Sequence, residues 1–154
     1  MGHFSPGVRL GVDVGKVRVG VAVCDPDAIL ATPLVTLARD LASDDDDRVP
    51  ADIAELARLV ELHGSVEVVV GLPVNLAGAH GPAAIHTKAY AARLADVVAP
   101  IPVTLTDERM STVVATRRLS ERGVRGKRQR AVVDQAAAVE ILQSWLDAQR
   151  RRTR

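Results

Sequence analysis

A valine-rich stretch at residues 7–25, GVRLGVDVGKVRVGVAVCD, constrains the fold more than any other part of the sequence. Two apolar runs, 8–14 and 17–24, flank a Gly-Lys pair, and this pattern predicts an antiparallel hairpin of two strands. The first run also contains Asp13. Burying an unpaired carboxylate is costly, so such a group normally becomes neutral, finds a partner or binds a cation. The stretch therefore predicts a β-sheet with an acidic side chain whose partner lies elsewhere in the chain.

Strand and helix patterns alternate along the rest of the chain. They predict a strand at 34–39, a helix at 50–63, a strand at 66–73, a helix at 82–98, a strand at 102–109 and helices at 110–123 and 131–149. This order predicts an α/β fold with a central mixed five-stranded sheet, three antiparallel strands followed by two parallel ones, flanked by helices.

Length and composition predict a single domain that spans residues 1–154, with 47% hydrophobic residues to build its core. Within it we expect a flexible basic loop at about 122–130 and a basic tail at 150–154. Cys24 is the sole cysteine, and no charged-then-apolar leader opens the chain, so we expect a cytoplasmic location. No apolar run approaches about 18 residues, which predicts no membrane span.

Positive charge is concentrated in the last quarter of the chain. Residues 1–116 carry 9 Lys and Arg against 15 Asp and Glu, whereas residues 117–154 carry 11 against 4. Within 117–130 the cations are spaced by glycines, and contact with nucleic acid is favoured over a merely solvated connector. The cations that we assign to this contact are Arg117, Arg118, Arg125, Lys127, Arg128 and Arg130.

Two acidic residues are candidates for an inward-facing site. Strand alternation puts Asp13 on a face with Gly11 and Gly15, where another element, or an ion with its phosphate, could approach closely. An Asp that only tightens the hairpin turn explains this pattern equally well. Asp134 lies on the apolar stripe of the last predicted helix, in line with Ile141. Asp134 could only interact favourably with the dipole at the N-terminus of the helix. That interaction does not require the side chain to face the core, so a functional role is favoured.

A third candidate lies where the last predicted strand meets its helix. Asp107 continues the face of Leu105, and Glu108 continues the face of Thr106, so one of the two faces the side of Asp13 if the strands are neighbours. Three inward carboxylates would repel one another unless divalent cations neutralised them, and carboxylate oxygens suit Mg²⁺ or Mn²⁺. Two such ions would suit phosphodiester hydrolysis.

Four segments in collinear order carry a family resemblance: GVDVGKVRVGVAVCDPDAILATPL, VVVGLPVNLAGAHGPAA, TDERMSTVVA and VVDQAAAVEILQSWLD. Together they resemble the YqgF/RuvX family of proposed nucleases. The resemblance implies a ribonuclease H-like fold and a bacterial cytoplasmic enzyme that processes the 5′ end of pre-16S ribosomal RNA. The alternative that it admits is a Holliday junction resolvase that acts on branched DNA, by analogy with RuvC.

Site residues follow from the same resemblance. The metal-binding acids of the family match Asp13, Glu108 and Asp134, which selects Glu108 over Asp107. Other motif positions match Arg18 and Arg109, for which we expect phosphate or substrate contacts, and Asn75, which could equally organise its own loop.

Other classes of function stay open at this point. A non-catalytic, nucleic-acid-binding factor in ribosome assembly would keep the same fold and basic segment. An ATPase half-domain would share the first hairpin. Neither stacking aromatics nor a base-reading motif separates RNA from DNA. A homodimer would suit a symmetric junction substrate.

Overall fold

The computed structural model describes residues 4–41, 48–73, 81–107 and 127–152, with side chains in the last range described from residue 132 onward. Within these ranges lie five strands and three helices. The elements are β1 (Arg9–Val14), β2 (Arg18–Cys24), β3 (Ala31–Ala38), α1 (Ala51–His63), β4 (Glu67–Leu72), α2 (Pro82–Val98), β5 (Val103–Asp107) and α3 (Lys127–Arg152).

The five strands form one sheet in the order β3-β2-β1-β4-β5. Neighbouring strands are antiparallel between β1 and β2 and between β2 and β3, and parallel between β1 and β4 and between β4 and β5. The predicted mixed sheet of three antiparallel and two parallel strands is therefore confirmed. The first strand lies at its centre, so the hairpin that carries Asp13 is flanked on both sides.

Several predicted boundaries differ from those observed. The strand β3 begins at Ala31 rather than residue 34 and includes Pro33, which an edge strand tolerates because one side of its backbone needs no partner. Pro50 precedes α1 instead of opening it. The helix α3 begins at Lys127 and extends to Arg152, so residues 127–130 and 150–152 are helical rather than loop and tail. The helix predicted at 110–123 lies outside the described residues.

The sheet separates two apolar cores. On one face, alternate strand residues such as Leu10, Val12 and Val70 pack with α1 and α2. On the other face, α3 packs with smaller side chains, among them Ala22 and Val69. No helix in the described ranges is long and apolar enough to cross a membrane.

A buried polar cluster joins the first core to the β1–β2 turn. Asp52 of α1 is 3% exposed and accepts a hydrogen bond of 2.6 Å from the hydroxyl of Tyr90 on α2. Arg39 follows β3, with Nε 3.5 Å from Oδ2 of Asp52 and Nη1 donating to the carbonyl oxygen of Gly15 at 2.9 Å. Burial raises the pKa of the Tyr90 hydroxyl, which therefore stays protonated and donates. Both helices are thus tied to the turn that follows Asp13.

Tyr90→Phe is expected to lower the free energy of unfolding by about 2 kcal/mol, because it leaves a buried carboxylate oxygen of Asp52 without its donor. The ring itself is retained and keeps its stacking on Arg39, whose Cζ lies 4.9 Å from the ring centroid. Urea denaturation followed by circular dichroism measures the change, and the m-value is expected to stay constant. A loss below about 0.5 kcal/mol would contradict this role for the hydroxyl.

Candidate active site

The fold brings Asp13 and Asp134 to the same face of the sheet. Asp13 lies directly opposite Gly20 in the β1–β2 ladder, and opposite residues of an antiparallel pair point to the same face. A Cβ atom built on Gly20 would lie 3.2 Å from Cβ of Asp134, so α3 packs on that strand position. Asp13 is 1% exposed and Asp134 is 2% exposed. Two buried carboxylates, from the first strand and the last helix, therefore lie beside each other.

Glycines allow α3 to approach this closely. A Cβ atom on Gly20 would lie 2.1 Å from the carbonyl oxygen of Asp134, and one on Gly11 would lie 2.6 Å from Cβ of Leu142. Real Cβ atoms essentially never come this near to other atoms, so only glycine fits at both positions. The element that approaches the glycine face of β1 at Gly11 is thus the last helix.

Arg18 forms an ion pair with Asp134. As the first residue of β2, Arg18 shares the face of Gly20, two residues further on. Its Nε donates to Oδ2 of Asp134 at 2.6 Å, and its side chain is 20% exposed against 3% for that of Asp134. The side chain of Arg18 is therefore more open to solvent than the carboxylate that it pairs with.

The turn that connects Asp13 to Arg18 is held in two ways. Gly15 donates its backbone N–H to the carbonyl oxygen of Arg18 at 2.8 Å, which closes the turn. Arg39 donates from Nη1 to the carbonyl oxygen of Gly15 and from its backbone N–H to the carbonyl oxygen of Val17, at 2.9 and 2.8 Å. Because Arg39 is itself buried against Asp52 and Tyr90, the hairpin is anchored from the opposite face of the sheet.

The strand β5 is not adjacent to β1 in the sheet. The strand β4 lies between them, and the registers Gly11 to Val69 and Val69 to Thr104 put Thr104 and Thr106 on the face of Asp13. Asp107 pairs with Leu72 and takes the opposite face. The two strands are therefore not neighbours, and Asp107 does not face the side of Asp13. Glu108 lies outside the described residues.

The structure brings together only some of the residues predicted from the sequence. Arg18 and Asp134 form an ion pair, and Asp13 lies on the same face, opposite the glycine on which Asp134 packs. The backbone of 127–130 belongs to α3, and the side chains there are not among those described. Predicted site residues that lie outside the described ranges altogether are Asn75, Glu108, Arg109, Arg117, Arg118 and Arg125.

The donor chemistry of Asp13 and Asp134 fits a hard divalent cation. Asp13 and Asp134 supply carboxylate oxygens, which Mg²⁺ and Mn²⁺ prefer, and the pair is buried where an uncompensated charge is costly. Within the described ranges no group of three acidic, His or Cys side chains lies close enough to hold a metal ion. A cation held here by three carboxylates would need its third from residues outside those ranges.

Two residues that organise the site were not singled out from the sequence. Gly20 is two residues after Arg18 on the same strand, so strand alternation puts both on one face. The hairpin pattern in the sequence could therefore have placed Gly20 on the face of Asp13. Arg39 could not, because its contacts with the turn, α1 and α2 depend on tertiary packing.

Comparison with solved structures identifies the fold. RuvC of Thermus thermophilus, solved in complex with a Holliday junction substrate, matches with a TM-score of 0.51 at 17% identity, covering 94% of this chain and 96% of that one. A second RuvC structure from the same organism matches with a TM-score of 0.52 at 16% identity and the same coverage. The protein thus has a ribonuclease H-like fold, as predicted.

The family follows from the sequence comparisons. A family model described as RuvX, Holliday junction resolvase, matches residues 7–148, so the chain belongs to the RuvX family. Relatives provisionally named pre-16S rRNA nucleases include one from Kineococcus radiotolerans, 52% identical over 96% of this chain and 75% of its own length. Another, from Mycolicibacterium paratuberculosis, is 55% identical over 96% of this chain and 84% of its own length. The family resemblance is confirmed.

Proposed function

We propose that this protein is a cytoplasmic, divalent-metal-dependent nuclease that hydrolyses phosphodiester bonds at the 5′ end of pre-16S ribosomal RNA. The observation that carries the proposal is the buried pair Asp13 and Asp134 on one face of the sheet, with Arg18 at its solvent side. We assign the hydrolysis to residues 1–154 acting as a single domain.

Each of these residues has a chemical role in this proposal. Asp13 and Asp134 hold two Mg²⁺ or Mn²⁺ ions, and Glu108 is the third carboxylate. When bound, the ions activate water and stabilise the leaving oxygen. Arg18 lies at the solvent side, where its guanidinium can bind a phosphate oxygen. The hydrogen bonds of Arg39 to the turn keep Asp13 and Arg18 in fixed relative positions.

Cations elsewhere in the chain bind the nucleic acid in this proposal. A basic segment supplies affinity that does not depend on sequence, because contact with phosphates releases counterions. Arg109 and Asn75 contact the substrate near the cleaved bond. The cations that bind the phosphate backbone are Arg117, Arg118, Arg125, Lys127, Arg128 and Arg130.

Ribosomal RNA is favoured over branched DNA because relatives at 52–55% identity over nearly the whole chain carry a pre-16S rRNA name. The likeness to RuvC at 17% identity supports the fold alone. The family description, Holliday junction resolvase, makes a four-way junction the second candidate substrate, and a homodimer would suit that symmetric substrate.

A side-by-side cleavage assay tests the proposal. Purified protein is incubated with a 16S precursor carrying its 5′ extension and, separately, with a four-way DNA junction, each with Mg²⁺, with Mn²⁺ and with EDTA. We expect cleavage of the precursor only with metal, and faster than cleavage of the junction. Preference for the junction would transfer the assignment to branched DNA.

Three other outcomes would contradict a metal-dependent nuclease. Equal cleavage in EDTA would remove the role of the cation. Salt-dependent binding without turnover would indicate a non-catalytic assembly factor. Saturable ATP binding would favour an ATPase domain.

A further inference from the structure

We propose that Arg18 occupies the place of the cation on Asp134 in the metal-free protein and leaves that carboxylate for the scissile phosphate when the cation binds. This inference rests on the proposed function, because it assumes that Asp134 is a metal ligand. It makes Arg18 a substrate-binding residue whose contact with phosphate is coupled to metal binding.

The ion pair engages only one nitrogen of the Arg18 guanidinium in the described residues. The contact joins Nε of Arg18 to Oδ2 of Asp134 at 2.6 Å, which is short even for a charge-assisted hydrogen bond. Within the described part of the chain, Nη1 and Nη2 of Arg18 make no hydrogen bond to the protein. A single contact through Nε therefore holds Arg18 on Asp134, and the terminal nitrogens can bind a phosphate once that contact is released.

Charge repulsion favours the release of Arg18 when a divalent cation binds Asp134. A guanidinium and a divalent cation both need the oxygens of Asp134, and they repel each other in a site where that carboxylate is only 2% exposed. Binding of the cation therefore weakens the hold of Asp134 on Arg18. The released guanidinium can then pair with a phosphate group of a bound nucleic acid.

The side chain of Arg18 has access to solvent. The side chain of Arg18 is 20% exposed, whereas that of Asp134 is 3% exposed, so the arginine can turn outward while the aspartate stays buried. Arg18 is also the first residue of β2, beside the turn, and its long side chain can change rotamer without moving the sheet. The exchange needs no backbone movement.

Metal affinity without nucleic acid tests the inference. Binding of Mn²⁺ is measured by calorimetry for the wild type, Arg18→Met, Arg18→Lys and Arg58→Met. The last is a matched control, because Arg58 pairs with Glu55 on the surface of α1 and its loss removes the same net charge. We expect Arg18→Met to bind Mn²⁺ about tenfold more tightly than the wild type, since a competing charge-assisted bond is removed. The control and Arg18→Lys are expected to stay within about twofold.

Chemical modification of the wild type provides a second measurement that needs no variant. The rate at which phenylglyoxal modifies Arg18, followed by mass spectrometry in a phosphate-free buffer, is expected to rise severalfold when Mn²⁺ is added. An unchanged or slower rate would overturn the exchange, even if Arg18→Met failed to fold.

The two proposals fail in different ways. Unchanged or weaker Mn²⁺ binding by Arg18→Met, with normal binding by the wild type, would overturn the inference and leave the nuclease proposal intact. If Asp134→Asn bound Mn²⁺ as tightly as the wild type, Asp134 would not be a metal ligand. That result would overturn both proposals.

Discussion

Asp13→Asn is expected to lower the rate of metal-dependent cleavage by roughly a hundredfold or more while changing the Kd for nucleic acid by less than about threefold. The substitution keeps the shape of the side chain and removes one negative charge from the buried pair. If the proposed function holds, a hard cation then loses a charged oxygen ligand, whereas the basic residues proposed to contact phosphates are untouched. Single-turnover cleavage of the 16S precursor and filter binding at matched salt measure the two effects.

The matched control for this prediction is Asp96→Asn. Asp96 lies exposed on α2, and the same change of charge there is expected to leave both rates and affinities unchanged. Full activity of Asp13→Asn would contradict the assignment of Asp13 to the metal site. If nucleic-acid binding were lost together with cleavage, Asp13 would be needed for folding or for substrate binding instead.

Gly20→Ala is expected to destabilise the protein by about 3 kcal/mol and to weaken Mn²⁺ binding at least about tenfold. The new methyl group would lie 2.1 Å from the carbonyl oxygen and 2.6 Å from the carbonyl carbon of Asp134. Both atoms belong to the backbone, so they can give way only if α3 moves away from the sheet. Asp134 would then move with the helix, away from Asp13. Urea denaturation and calorimetry measure the two losses.

Gly81→Ala provides the matched control because a Cβ atom there would meet nothing within 4 Å. It is expected to cost no more than about 1 kcal/mol, the effect of a weaker residue at the helix boundary. Equal losses for the two variants would show that close contact at Gly20 has no special effect. Stability lost at Gly20 with metal affinity retained would separate the packing of α3 from the position of Asp134.

The elements with strong local patterns were predicted well. Both strands of the first hairpin end where their valine runs end, and Gly64, in the left-handed region at φ 62°, stops α1 as expected. Asp134 was assigned to the inner stripe of its helix, and it is buried against β2. Local periodicity suffices in these cases because each side chain takes the face that its own element presents to the core.

Features that depend on contacts between distant elements were not predicted. Alternation alone could not decide whether Asp107 shared the face of Asp13, because the answer depends on the register of β4 with both of its neighbours. The ion pair of Arg18 with Asp134 was missed for the same reason, since its partners are 116 residues apart. The strand predicted at 34–39 begins earlier, at Ala31, and its position at the edge of the sheet explains why it can include Pro33.

The order of elements along the chain has a consequence for when this site can exist. The five strands that the structure describes all precede residue 108, whereas Asp134 lies on α3. A chain made from its N-terminus can therefore pair all the described strands while it holds only one of the two buried carboxylates. The pair forms by a long-range contact that is slow to close relative to local turns. During synthesis the pairing of Asp13 with Asp134 therefore waits until α3 has docked on the sheet.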